Sequence, residues 1–276
     1  MEITQLANGF AVEIGGVNLA ETLNDAAFDA IKALWMENRV VVFRHQTLND
    51  DGLVAFAARF GPLFVHAQSS LLSSRRKEVM ELSNLEDVER PVTHELDWHT
   101  DQSYTAQPVF GTILYGLVTP DEGGETHFAD LAGAYVSLPE ELRTRIEDAT
   151  AVYSAEPRPK VREKPLNAEE RSRIPDCVHP IVRTHPYLNR KSIYLSPLHI
   201  RTIGNLPEPD SLSLLGELIE HAAQPAHLYR HRWSVGDVVV WDNTSVMHRR
   251  TSFPSHERRH LKRTGFYLPD ELAIPV

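Results

Sequence analysis

The chain has 276 residues, 42% of them hydrophobic and 24% charged, with a formal net charge of −10. That composition supports a substantial core in one domain spanning 1–276, and it argues against a general nucleic-acid binder, which needs a basic footprint to neutralise phosphates. Cys177 is the only cysteine, which excludes an intrachain disulfide and any cysteine-rich zinc or iron–sulfur site.

The opening "MEITQLANGFAVEIGG" lacks the basic flank and apolar run of a signal peptide, and no window approaches the roughly eighteen apolar residues of a membrane span. A cytoplasmic protein without membrane contact is expected. "GFAVEIGGVNL" alternates apolar and polar residues before a glycine pair and reads as a strand or hairpin. From Asp25 to Asn38, Phe28, Ile31, Leu34 and Trp35 fall at helical spacing behind a capping Asn24, and "VVVF" follows as a buried strand. A second helix is expected from Asn49 to Phe60, capped by Asn49 or Asp50 and ended by Gly61-Pro62.

From about residue 77 the chain becomes mostly short strands, among them "EVMELSN", "VFGTILYGLV", "ETHFADL", "DVVVWDN" and "RTGFYL". Helices are expected only near 139–148 and 211–223 within this part. Many short strands with few helices favour a β-sandwich or barrel over a parallel α/β sheet. Residues 156–176 hold four prolines and dense charge without a periodic apolar pattern. They read as a solvated loop, or as a mobile lid, since long unstructured loops in compact domains are often functional.

"LDWHTDQSY" places His99 two residues before Asp101. With 14 histidines and 38 acidic residues such a pair arises by chance, but on a strand both side chains would project to one face. A third ligand should be a histidine far along the chain. "GDVVVWDNTSVMHRRTSF" supplies one: a core strand over Val238 to Trp241, a turn at Asp242-Asn243, then a short apolar stretch ending at His248. Two histidines and one carboxylate suit an Fe(II) oxygenase with open positions, and equally a catalytic zinc site. Downstream, "ERRHLKRTGFYL" puts Arg259, Leu261 and Arg263 on one face of an apparent strand. Arginines pointing inward need anions, and a planar guanidinium pairs with a carboxylate bidentately.

Taken together, His99, Asp101, Thr126 in "GGETHF", His248 in "WDNTSVMH" and Arg259 resemble the motif of the TauD/TfdA family, the Fe(II)- and 2-oxoglutarate-dependent dioxygenases. "WHTD", "WDN" and "VRTHPYLNRKSIYLSP" are similar to the surrounding text of that family, the last to its TfdA-like branch, and the likeness runs from about residue 5 to 268. It implies a mainly β fold with flanking helices, a double-stranded β-helix or jelly roll. It implies that His99, Asp101 and His248 hold Fe(II), and that Arg259 and Thr126 hold the distal carboxylate of 2-oxoglutarate. O₂ would be the second cosubstrate, with succinate and CO₂ as coproducts and a C–H bond hydroxylated. Halogenases related to the family replace the carboxylate ligand with a small residue, so Asp101 points to hydroxylation.

By the same resemblance Arg263, four residues after Arg259, would contact a small anionic substrate, a carboxylate or sulfonate. His66 stands where relatives place a substrate-contacting histidine. Taurine-type members carry asparagine where this chain has Glu95, which would repel a sulfonate and receive an amine. Family members often associate, which leaves a homo-oligomer open. A metal-dependent hydrolase on the same three ligands, and a non-catalytic jelly-roll binding protein, are the competing readings. The remaining histidines show no joint spacing and are assigned to packing or the surface, with His127 set apart only by its place beside Thr126.

Overall fold

The computed structural model describes residues 1–7, 9–65, 76–85, 93–156 and 168–269. Strands β1 (Glu2–Ala7) and β2 (Ala11–Gly15) form an opening hairpin. Helices α1 (Asp25–Asn38) and α2 (Asp50–Ala58) enclose β3 (Val40–Phe43), and β4 (Met80–Ser83) and β5 (Leu96–His99) follow. Next come β6 (Gly111–Val118), β7 (Thr126–Asp130), α3 (Leu131–Val136), α4 (Glu140–Ile146) and β8 (Thr150–Tyr153). Helix α5 (Ala168–Arg173) precedes β9 (Cys177–Pro180), β10 (Val182–Thr184), β11 (Lys191–Ile193) and β12 (Ile200–Ile203), then α6 (Glu208–Ala222). The last strands are β13 (Leu228–His231), β14 (Val238–Asp242), β15 (Val246–Arg250) and β16 (His260–Phe266).

Both early helices start where their caps require. The Asn24 side chain accepts from the Ala27 N–H at 2.9 Å, and that of Asn49 from the Gly52 N–H at 2.8 Å. Each satisfies one backbone donor that a helix start leaves without a partner.

The strands build a seven-stranded sheet, β1-β2-β3-β14-β6-β16-β4, and a four-stranded sheet, β13-β7-β15-β5. Every neighbouring pair in them is antiparallel except β2 with β3. Two small sheets, β12-β8-β9 and β10-β11, complete the described strands. Strand β14 shows the layering. Val238 and Val240 pack with Phe28, Trp35 and Phe56 of the two early helices. Val239 and Trp241 face the other way and meet Phe128, Tyr229 and Val246 of the four-stranded sheet. A strand covered on both faces reads as a continuous apolar run, which is why "VVVW" does not alternate. Beyond the four-stranded sheet, Trp98, Ala129 and Met247 pack with Leu131, Leu214 and Leu218 of α3 and α6. The result is mainly β, with helices outside two facing sheets.

Three expectations change. Helix α3 is unannounced in the sequence because six residues cannot show a periodic pattern; the Asp130 side chain starts it, accepting from the Gly133 N–H at 3.0 Å. The loop expected over 156–176 ends in helix α5, and its central part, 157–167, lies outside the described residues. Strand β5 stops at His99, so Asp101 sits in the turn beyond it and does not share the strand face by two-residue alternation. Among the described residues no helix is long and apolar enough to cross a membrane.

Candidate metal centre and anion pocket

Strand register brings the two histidines together. His248 on β15 pairs with His99 on β5 on one side and with Phe128 on β7 on the other. Cross-strand partners project to the same face, here the one between the two sheets, and the imidazole centroids lie 4.1 Å apart. Asp101 reaches the same point by a turn whose first residue is pinned. The Thr100 N–H donates to the Ser196 hydroxyl oxygen at 3.0 Å, and the Thr100 hydroxyl donates to the Leu195 carbonyl at 2.8 Å. One ligand atom from each of His99, Asp101 and His248 lies within 4.8 Å of the others, and all three residues are buried.

The electrostatics suit a divalent cation. Burial pushes the Asp101 carboxyl upward, but the Arg263 guanidinium, both imidazoles and the Thr112 hydroxyl outweigh it and hold it well below the usual carboxylate range. Burial and the neighbouring His99 push His248 down to about 3, and burial lowers His99 as well. At neutral pH the set is therefore two neutral imidazoles and a carboxylate, the protonation state that metal ligands need. His99 Nδ1 lies 2.8 Å from the Asp97 carbonyl, which places the proton there and leaves Nε2 as the donor atom. His248 Nδ1 is buried without a hydrogen-bond partner among the described residues, as expected where an ion completes the site. The residues fit a bound metal.

A cavity of about 210 Å³ opens beside this cluster, lined by His99 and His248 together with Thr126, Phe253, Arg259 and Arg263. Arg259 is 5% exposed, its Nε has no partner, and it makes no ion pair among the described residues. Burial, then the neighbouring Arg250, pushes it down to about 9, so it remains a cation at neutral pH. A buried guanidinium without an anion is costly, and here it faces the cavity that carries the metal ligands. Gly124 lets the chain close on it. That residue sits at φ +65°, and a Cβ there would come within 3.3 Å of Arg259 Cδ.

Thr126, on the inward face of β7, is 2% exposed, and its hydroxyl accepts from the Trp233 indole at 3.0 Å. That bond turns the hydroxyl's own proton toward another acceptor. Trp233 carries no spacing signal in the sequence; only its fold contact with Thr126, 107 positions away, reveals it.

Six of the expected residues thus converge: His99, Asp101, His248, Thr126, Arg259 and Arg263. Arg263 meets Asp101 directly, Nη1 to Oδ1 at 3.0 Å. Glu95 is not brought to the cavity. Glu95 precedes β5, is exposed and pairs at 3.0 Å with Arg249, which alternates with His248 on β15 and so projects from the other face of that strand. The expected contact between Glu95 and substrate is not made, because the pairing with Arg249 holds Glu95 outside the cavity. His127 projects to the other face of β7 from Thr126, where it is buried and pairs with Glu125 at 2.9 Å. His66 lies outside the described residues.

Comparison with known proteins bears on this geometry. The family described as "Taurine catabolism dioxygenase TauD, TfdA family" matches residues 2–264. An alpha-ketoglutarate-dependent 2,4-dichlorophenoxyacetate dioxygenase of Cupriavidus pinatubonensis is 33% identical, covering 92% of this chain and 93% of that protein. An (S)-phenoxypropionate/alpha-ketoglutarate-dioxygenase of Sphingobium herbicidovorans is 31% identical, covering 94% and 92%. Among solved structures, AAD-2 in complex with Mn(II) and N-oxalylglycine superposes with a TM-score of 0.84 at 30% identity, covering 98% of both chains.

Proposed function

The chain belongs to the taurine catabolism dioxygenase TauD, TfdA family and is a 2-oxoglutarate-dependent dioxygenase; from that premise we propose that it hydroxylates a C–H bond of a small anionic substrate at Fe(II) held by His99, Asp101 and His248. Bound iron supplies the activation of O₂ and the oxidative decarboxylation of 2-oxoglutarate to succinate and CO₂. The protein's part is to hold, orient and shield. The observation that carries this reading is Arg259, a buried cation that makes no ion pair among the described residues and shares one cavity with the two histidines.

Arg259 and the Thr126 hydroxyl bind the distal carboxylate of 2-oxoglutarate. Charge and a hydrogen bond together are what a carboxylate needs when it leaves water. Arg263 recognises the anionic group of the primary substrate. Its guanidinium has five N–H donors, so one can remain on Asp101 while others meet a second anion. A carboxylate is favoured over a sulfonate, because two of the most similar relatives are named for phenoxy-carboxylates. We read the two facing sheets as a double-stranded β-helix, which places His99 and His248 between its layers. A metal-dependent hydrolase on the same ligands would have no use for a buried arginine that makes no ion pair among the described residues.

Two measurements test the reading. Anaerobic Fe(II) with 2-oxoglutarate should give a weak visible charge-transfer band that His99→Ala abolishes. A panel of small carboxylic and sulfonic acids should include members that stimulate succinate release. A folded, metal-loaded protein that shows neither band nor succinate would exclude the proposed activity.

A further inference from the structure

The two oxygens of Asp101 are engaged differently. Oδ1 meets Arg263, whose side chain is 19% exposed, at 3.0 Å. Oδ2 accepts from the Thr112 hydroxyl at 2.8 Å, and Thr112 is 2% exposed on β6, inside the seven-stranded sheet. The Thr112 hydroxyl is not free to turn. Asn243 donates its Nδ2 to Thr112 Oγ1 at 2.9 Å, so the hydroxyl's only proton goes to Asp101.

Asn243 is fixed in its turn. Its Oδ1 accepts from the Trp241 indole at 3.0 Å and from the Asp101 backbone N–H at 3.4 Å. An indole N–H can only donate, so Oδ1 must face Trp241 and the amide must face Thr112. The chain of hydrogen bonds therefore has one direction, from Trp241 through Asn243 and Thr112, and it ends on Oδ2 of Asp101. Every residue in it is buried.

The chain also crosses the fold. Thr112 stands opposite Trp241 in the register of β6 with β14, in the seven-stranded sheet, whereas Asp101 follows β5 of the four-stranded sheet. Asn243 opens the turn that leads into β15 and His248. Two ligands are thereby referred to one rigid turn.

We infer that Thr112 and Asn243 are positioning residues for the metal carboxylate, holding Oδ2 so that Asp101 presents Oδ1 alone to the ion. The inference rests on the reading of His99, Asp101 and His248 as the metal site. A carboxylate free to rotate would close on the ion with both oxygens and take up a position that a cosubstrate needs. With Thr112 on Oδ2, that rotation is blocked, and Oδ1, which has a second lone pair, can meet the ion while Arg263 stays on it.

The test is anaerobic calorimetric titration of the metal-free protein with Mn(II), comparing the parent with Thr112→Val, Thr112→Ser, Asn243→Ala and His99→Ala. Thr112→Val keeps the shape of the side chain and removes the hydroxyl, and it should weaken Mn(II) binding about 10- to 100-fold, the range for lost outer-shell partners of a metal ligand. Thr112→Ser restores the hydroxyl and should keep most of the parent affinity. Asn243→Ala frees the hydroxyl and should lose affinity in the same direction, which carries the test if Thr112→Val does not fold. Parent affinity in Thr112→Val or Asn243→Ala, or equal losses in the serine and valine variants, overturns the positioning role. His99→Ala separates the two levels. Mn(II) binding that survives it removes the metal site itself, whereas binding lost there and kept in Thr112→Val removes only the positioning.

Discussion

Replacing Arg259 with leucine should move stability and cosubstrate affinity in opposite directions. The guanidinium is 5% exposed, lacks an ion pair among the described residues, and is pushed down to about 9 by burial. An uncompensated buried ion costs several kcal/mol even after relaxation, so a neutral side chain of similar bulk should leave the ligand-free protein at least as stable. Binding is different. Removing one member of a buried, hydrogen-bonded charge pair costs about 3–5 kcal/mol. Thr126 still offers its hydroxyl, so the lower part of that range applies, roughly 100- to 1,000-fold in affinity.

Melting the Mn(II)-loaded protein with and without 2-oxoglutarate reads both effects without turnover. At a ligand concentration near 100 times the parent Kd, the parent gains about 2.7 kcal/mol, while a variant bound roughly 1,000-fold more weakly gains almost nothing. The expected result is an equal or higher ligand-free midpoint in Arg259→Leu with the ligand-induced rise abolished. A fall of several degrees without ligand, or a rise that persists with it, would refute the assignment and make Arg259 a structural cation.

Trp233→Phe keeps the ring but loses the 3.0 Å bond to Thr126, so KM for 2-oxoglutarate should rise about 3- to 10-fold, the worth of one hydrogen bond, with kcat little changed; an unaltered KM would mean that Trp233 does not orient the hydroxyl. Gly124→Ala forces a side chain into φ +65°, with its Cβ 2.8 Å from Pro120 Cγ and 3.3 Å from Arg259 Cδ. Urea midpoints should show a loss of about 1–2 kcal/mol together with weaker 2-oxoglutarate binding, and loss of stability alone would detach the glycine from the arginine. Acid should weaken the metal-free fold. Burial, with Arg183 and His99 respectively, pushes His179 and His199 down to about 4, and His248 falls to about 3. All three lie below the unfolded value near 6.5, so the unfolded chain binds more protons in this window. Stability is then fully present above about pH 6.5 and is lost as pH falls toward 4, by roughly 1 kcal/mol per pH unit for each histidine. Equal urea midpoints at pH 7 and pH 5 would contradict that.

Much of this was legible in the sequence, for reasons that differ by element. Helices α1 and α2 announce themselves through caps whose side chains do bond the backbone, and β14 through a run covered on both faces. The five-residue motif survives because its spacing reflects which strands the fold makes neighbours. The geometry behind His99 and Asp101 was not legible, since the strand ends between them and a turn, held through Thr100, delivers the carboxylate. Thr112 and Trp233 leave no trace in the sequence, and Asn243 shows there only as a turn residue within "WDN", with nothing to mark its bond to Thr112. Each acts through one hydrogen bond to a residue more than ten and often more than a hundred positions away, and such pairs have no period. Glu95 shows the reverse failure: a position relative to the motif suggested a role that its ion pair with Arg249, outside the cavity, does not support.

Arg259 and Arg263 lie four residues apart on one face, and sequence alone treats them as equivalent anion readers. The fold separates them. Arg259 is a buried cation that makes no ion pair among the described residues, suited to a ligand of fixed charge that every turnover requires. The charge of Arg263 is already shared with Asp101 at 3.0 Å. A substrate carboxylate that reaches Arg263 therefore places a second anion beside Asp101, and two carboxylates on one guanidinium repel unless another cation lies between them. A metal ion on Asp101 is that cation, so substrate affinity should depend on metal occupancy. The best acid from the succinate-release panel should bind the metal-free protein at least about tenfold more weakly than the Mn(II) form, the lower end of coupling through a shared site. Arg263→Gln should abolish the difference by weakening the Mn(II) form alone. Equal affinity with and without metal in the parent would show that Arg263 serves Asp101 only and that substrate is recognised elsewhere in the cavity.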